Sequence, residues 1–79
     1  MRLDKYLKVS RLIKRRTVAN EACDAGRVTV NGKVARASYD VKVDDVIALT
    51  LGTREVTVKV VSVQETVAKA DASGLYTVL

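Results

Sequence analysis

The sequence predicts an α+β fold, with two N-terminal helices on a small, mainly antiparallel sheet of about four to five short strands. Three observations carry this. The stretches Arg2–Ser10 and Val18–Ala25 repeat apolar side chains at helical spacing. An Asn31-Gly32 pair sits between alternating apolar and polar residues, the strongest short hairpin signal. The valines gather in the second half, where strand formers are needed.

The first helix comes from Arg2–Ser10. At about 100° per residue, Leu3, Tyr6 and Leu7 share one face, and Asp4, Lys5 and Lys8 lie on the other. A helix this short does not persist alone in water, so tertiary packing must hold it. The connector Arg11-Leu12-Ile13-Lys14-Arg15-Arg16 is too cationic to bury and too apolar for a loose tail. Leu12 and Ile13 are expected to turn inward and leave the four cations outside. Thr17 is the expected N-cap of the second helix, its hydroxyl accepting from a backbone N–H two or three residues on. Val18, Ala19, Ala22, Cys23 and Ala25 should form the apolar face of that helix, opposite Asn20, Glu21 and Asp24. Gly26 stands where a helix C-terminus needs a left-handed residue.

Val28 and Val30 are expected to face the core across the hairpin, with Thr29 and Lys33 outward. Ala35–Asp40 reads as a loop, and Val43-Asp44-Asp45 as a solvated turn. Val46–Leu51 and Glu55–Gln64 are expected to pair as antiparallel strands around Gly52-Thr53-Arg54. Thr66–Ala72 has helical propensity and reads as a short helix or an ordered loop, Ser73-Gly74 breaks it, and Leu75–Leu79 reads as a last strand. The chain shows no internal repeat, low-complexity tract or linker. At 79 residues a single domain spanning 1–79 is expected, with a modest core.

Charge is distributed unevenly. Residues 1–36 carry ten Lys/Arg against three acids, a net of +7, whereas residues 37–79 carry four against six, a net of −2. A basic front on a near-neutral back suggests one polyanion-facing surface. The sequence has no histidine and one cysteine, Cys23. An internal disulfide and zinc sites of the Cys/His type are thereby excluded. Cys23 is expected to be a small buried hydrophobe rather than a reactive thiol. No signal peptide or membrane span is read in the sequence, so cytoplasm is the expected compartment.

These features leave little room for an enzyme. There is no histidine base, no Cys–His pair, no P-loop and no dinucleotide fingerprint. No catalytic residue, metal or cofactor is expected. Nucleic-acid binding fits better, because phosphates need an array of long cations and the arginine fork suits their oxygens. The candidates are Arg2, Lys5 and Lys8 on the first helix, and Arg11, Lys14, Arg15 and Arg16 in the connector. Arg27 after the second helix and Lys33 beside the hairpin turn complete the set. Without Phe or Trp, a stacking platform for single strands is unsupported. Backbone and shape recognition of structured RNA suits the composition, while duplex DNA stays open on charge alone.

The run Arg2–Lys33 resembles the RNA-binding domain of the ribosomal-protein S-four type, also termed the αL motif. The matching parts are R-L-D-K-Y-L near the start, the basic connector, and A-G-R-V-T-V-N-G-K. The likeness continues through D-V-K-V-D-D-V-I and the final L-Y-T-V-L. The opening M-R-L-D-K-Y-L-K-V-S-R-L-I-K-R-R-T resembles the stand-alone ribosome-associated quality-control P factors (RqcP or YabO type). The heat-shock protein fifteen type is related. The resemblance implies the αL helix pair on a curved sheet. It also implies a non-enzymatic factor on obstructed large ribosomal subunits carrying peptidyl-tRNA.

Its partners would be large-subunit rRNA, that tRNA and an RqcH-type alanine-tailing factor, with C-terminal alanine tailing of stalled chains as the outcome. Arg2 and Arg16 match the basic RNA-contact positions of the family. A monomer is expected, without membrane association. The alternatives are a heat-shock-type recycling factor, an accessory domain of an RNA-modifying enzyme, or a structural ribosomal protein. The heat-shock type ranks lower because its long basic C-terminal extension has no counterpart before Leu79.

Overall fold

The computed structural model describes residues 1–64 and 74–79. Helices α1 (Leu3–Val9) and α2 (Arg16–Asp24) lead into strands β1 (Val28–Val30), β2 (Lys33–Val34), β3 (Val46–Leu51), β4 (Arg54–Val60) and β5 (Tyr76–Val78). The strands form one five-stranded sheet in the order β2-β1-β3-β4-β5. Every pairing among the described residues is antiparallel. The expected α+β class is therefore observed.

The helical periodicity of α1 is realised in its burial. Leu3, Tyr6 and Leu7 are wholly buried, and Ala19, Ala22 and Cys23 of α2 join them in the core. Val28, Ile47, Leu49, Val58 and Val60 close that core from the sheet. The small side chains of α2 let it approach α1 closely. Two expectations for α2 fail: Val18 is 44% exposed and Ala25 is also exposed. Among the described elements, α2 packs chiefly on α1 and more lightly on β1, and its buried stripe is narrower than the sequence pattern.

Thr17 is not the N-cap. Arg15 takes that place with extended backbone and no side-chain cap bond, and Thr17 lies inside the helix. Arg16 is already tied to Asp4, so tertiary pairing overrides the local cap preference. The other end follows the expectation. Gly26 has φ +73, its N–H donates to the Cys23 carbonyl at 3.0 Å, and Arg27 N–H donates to the Ala22 carbonyl at 2.9 Å. This is the Schellman arrangement, which uses two otherwise unpaired helix carbonyls.

The Asn31-Gly32 turn has positive φ at both positions, +53 and +84, as a tight two-residue hairpin needs. It pairs Val30 with Lys33. Val28 and Val30 point inward, and Lys33 outward. Ala35–Asp40 is a loop that also serves α1: the Tyr39 and Ala37 carbonyls accept from the N–H groups of Leu3 (2.8 Å) and Asp4 (3.1 Å). Two donors that a helix start leaves unpaired are thus satisfied by a distant segment.

The β3–β4 turn needs only Gly52 and Thr53, since Arg54 already pairs with Leu51. β4 ends at Val60 rather than Gln64. β5 pairs with it only as far as Val60, and the Leu75 carbonyl then takes the N–H groups of Val61 and Ser62. That same carbonyl accepts the Tyr6 hydroxyl at 2.7 Å. The short helix or ordered loop expected over Thr66–Ala72, and Ser73 of the expected break, lie outside the described residues.

Candidate nucleic-acid interface

Two buried carboxylates organise the basic front. The first is Asp4, expected on the outer face of α1 but only 2% exposed. Its burial is compensated by donors. Arg2 gives Nε and Nη2 at 3.3 Å each, Asn20 its amide at 3.3 Å, Arg16 Nη2 at 3.4 Å, and Lys5 its backbone N–H at 2.8 Å. Burial alone would raise the pKa of Asp4. The bonds from Arg2, Asn20, Arg16 and the Lys5 backbone outweigh burial and hold it below the ordinary value, so it stays ionised at neutral pH.

The second is Asp45, expected in a solvated turn but 8% exposed. It accepts from the Tyr39 hydroxyl (2.9 Å), the Lys42 backbone N–H (3.0 Å) and the Asn31 amide (3.1 Å). Burial again pushes the pKa up, and the bonds from Lys42, Tyr39 and Asn31 bring it below normal. Asn31 also accepts the Val46 N–H at 2.9 Å through its side-chain oxygen. The hairpin turn, the Ala35–Asp40 loop and the entry to β3 are therefore fastened at one carboxylate.

The nine sequence candidates are not one cluster. Arg2 precedes α1 and Arg16 opens α2, and Asp4 brings them together with their side chains 52% and 46% exposed. Lys5 and Lys8 lie on α1, with Lys8 exposed. Lys14 and Arg15 are exposed in the connector. Arg11 is exposed at φ +63, just past the end of α1. That conformation costs a non-glycine residue roughly 1–2 kcal/mol. It lines a separate hollow with Leu12, Leu51 and Arg54. Arg27 lies beyond the far end of α2 from Arg16, a helix whose first and last residues are about 12 Å apart along its axis. Lys33 stands on β2, an edge strand.

Two open hollows flank the Arg2–Asp4–Arg16–Asn20 group. One, of about 390 Å³, is lined by Asp4, Arg16, Thr17, Asn20 and Glu21. The other, of about 520 Å³, runs between α2 and the loop after β2, with Arg2, Asn20, Asp24, Arg36 and Ser38 among its lining. Arg36 is outside the nine candidates, the sequence leaving open whether it contacts RNA, and the fold sets it in the same hollow as Arg2. Asp4, Asn20 and Asp45 were also missed as organising residues. One signal was available for Asp4, a lone acid embedded among the cations of the first helix.

Tyr39 is committed to Asp45 through its hydroxyl and so closes the loop. Cys23 is buried, and burial, aided by nearby Asp4 and Asp24, pushes its thiol up to about 11. It is protonated and unreactive at neutral pH. Among the described residues, no group of three or more His, Cys, Asp or Glu could hold a metal ion. No described helix is long and apolar enough to cross a membrane.

Comparison with known proteins agrees with this architecture. The S4 domain model matches residues 1–47. The chain is 58% identical over 78 residues to the RQC P-site tRNA stabilizing factor of Halalkalibacterium halodurans, covering 99% of this chain and 89% of that protein. It is 52% identical over 79 residues to the factor of the same name from Bacillus subtilis, covering 100% and 92%. Among solved structures, trimeric Heat Shock Protein 15 of Vibrio cholerae superposes with a TM-score of 0.93 at 30% identity, covering 100% of this chain and 81% of that one. The chain thus belongs to the S4 domain family, together with the relatives named RQC P-site tRNA stabilizing factor.

Proposed function

We propose that this chain, as one domain spanning residues 1–79, is a non-enzymatic RNA-binding factor of ribosome-associated quality control. It binds large-subunit rRNA and tRNA on obstructed large subunits carrying peptidyl-tRNA. There it holds the tRNA while an RqcH-type factor adds the C-terminal alanine tail. The observation that carries this reading is the near full-length identity to factors named for stabilising a P-site tRNA. The geometry supports it. The front presents half-exposed arginines held side by side by the buried Asp4 carboxylate. Arg2, Lys5, Lys8, Arg11, Lys14, Arg15, Arg16, Arg27 and Lys33 are the proposed RNA-facing cations. The protein acts in the cytoplasm, on the ribosome, as a monomer.

Arg16→Ala should lower co-sedimentation with peptidyl-tRNA-bearing large subunits by about tenfold, on the order of 1.4 kcal/mol. Alanine tailing should fall with it. Unchanged sedimentation and tailing would remove Arg16 from the interface. A second reading, a recycling factor of the heat-shock type, is favoured by the superposition on Heat Shock Protein 15. Affinity purification separates the two, since only the first enriches the tailing factor and alanine-tailed chains.

A further inference from the structure

One pair of exposed arginines is built around a buried acid. Arg2 Nε and Arg16 Nη2 bind the same oxygen of Asp4, Oδ1, at 3.3 and 3.4 Å. Two guanidinium groups from different elements are thereby held side by side. Their contacts are longer than the roughly 2.7–2.9 Å of a tight charge-assisted bond. The side chains stay about half exposed, and each guanidinium keeps further N–H donors. Asp4 thus orients the pair without consuming it. Asn20 fixes the other carboxylate oxygen, Oδ2, and so holds the carboxylate plane against α2. Two guanidinium groups and one carboxylate leave a single net positive charge.

We propose that Arg2 and Arg16 form one composite site for a single phosphodiester group of folded RNA, and that Asp4 is its positioning residue. This deepens the RNA-binding reading above and rests on it. The charge balances, one net cation against one phosphodiester anion. The geometry suits forked donors that converge on one tetrahedral anion from two sides. Simple electrostatics predicts the opposite role for Asp4, since an acid beside a phosphate repels it. The two views differ in sign, which makes the site testable.

The experiment titrates the full chain with peptidyl-tRNA-bearing large subunits at several salt concentrations. The variants are Arg2→Ala, Arg16→Ala, their combination, and the near-isosteric Asp4→Asn. On a composite site each single arginine variant loses about tenfold, and the double variant scarcely more. The slope of log affinity against log salt falls by about one in the double variant, where two independent phosphate contacts would lower it by about two. Asp4→Asn binds more weakly although it removes a negative charge, and in its background the two arginine effects become additive.

Thermal melts followed by circular dichroism establish that each variant is folded. The arginine cycle on exposed side chains stands without Asp4→Asn should that variant unfold. Additive arginine losses with a slope change of two, or an Asp4→Asn protein that binds as well or more tightly, overturn the composite site and leave RNA binding intact. A wild-type chain that does not bind the subunits overturns both.

Discussion

Asp45→Ala is expected to destabilise the protein by about 2–3 kcal/mol, because bonds to a charged acceptor are worth about 1.5–3 kcal/mol. The substitution strands the Tyr39 hydroxyl, the Lys42 N–H and the Asn31 amide together. A domain of this size has only some 4–12 kcal/mol in total. The melting temperature should therefore drop by roughly 10–25 °C, as read by circular dichroism. Asp44→Asn, one residue earlier on an exposed side chain, is the control, since Asn suits the left-handed backbone there, φ +76. It has a loose 3.7 Å ion pair with Lys59 to lose and should shift the melt little. Equal effects at the two positions would mean that the buried network does not hold the fold.

Acid should act through the same groups. The pKa of Asp45 and of Asp4 is lowered in the folded protein from an ordinary value of 3.8. The unfolded chain therefore takes up protons first as pH falls. The stability these carboxylates supply is complete well above that value and is lost as pH drops through the folded-state pKa. Unfolding midpoints measured from pH 7 down to 2 should be level at first and fall below about pH 4. In Asp45→Ala the acid-dependent part should shrink.

The second large effect concerns the connector. Replacing Arg11, Lys14 and Arg15 together by alanine should leave the fold standing, since all three side chains are exposed. It should reduce the salt slope of large-subunit binding by about three. At about 1 kcal/mol per cation facing an anionic surface, affinity near 0.15 M salt falls roughly a hundredfold. Filter binding or co-sedimentation at several salt concentrations reads both. A variant that keeps the wild-type slope would place the RNA face elsewhere.

Features governed by near neighbours were legible in the sequence. The Gly26 stop, the Asn31-Gly32 turn and the inward stripe of Leu3, Tyr6 and Leu7 each follow from backbone sterics or helical period. Features decided by distant partners were not. Asp4 looks solvated until Arg16 and Asn20 arrive from α2, and Asp45 looks like an ordinary turn residue until Asn31 and Tyr39 close over it. Thr17 has the right chemistry for a cap, yet the pairing of Arg16 fixes where α2 begins. Arg11 adopts a glycine-like backbone that no local rule assigns to arginine. The cationic character of the front was thus readable, while its division into an Asp4-centred group, a separate Arg11 hollow and the added Arg36 required the fold.

The bond from Tyr6 to the Leu75 carbonyl has a bearing on how the protein is made. It joins residues 69 positions apart, so this contact of the first helix waits for the segment just before β5. Ribosomes extend a chain at about 5–20 residues per second. For several seconds the basic N-terminal segment is therefore outside the exit tunnel without the partner that seats its tyrosine. The Tyr6 bond is thus among the last contacts of α1 to form as the chain is made, after those with Ala37, Tyr39 and Arg16, and a chain cut before Leu75 would lack it.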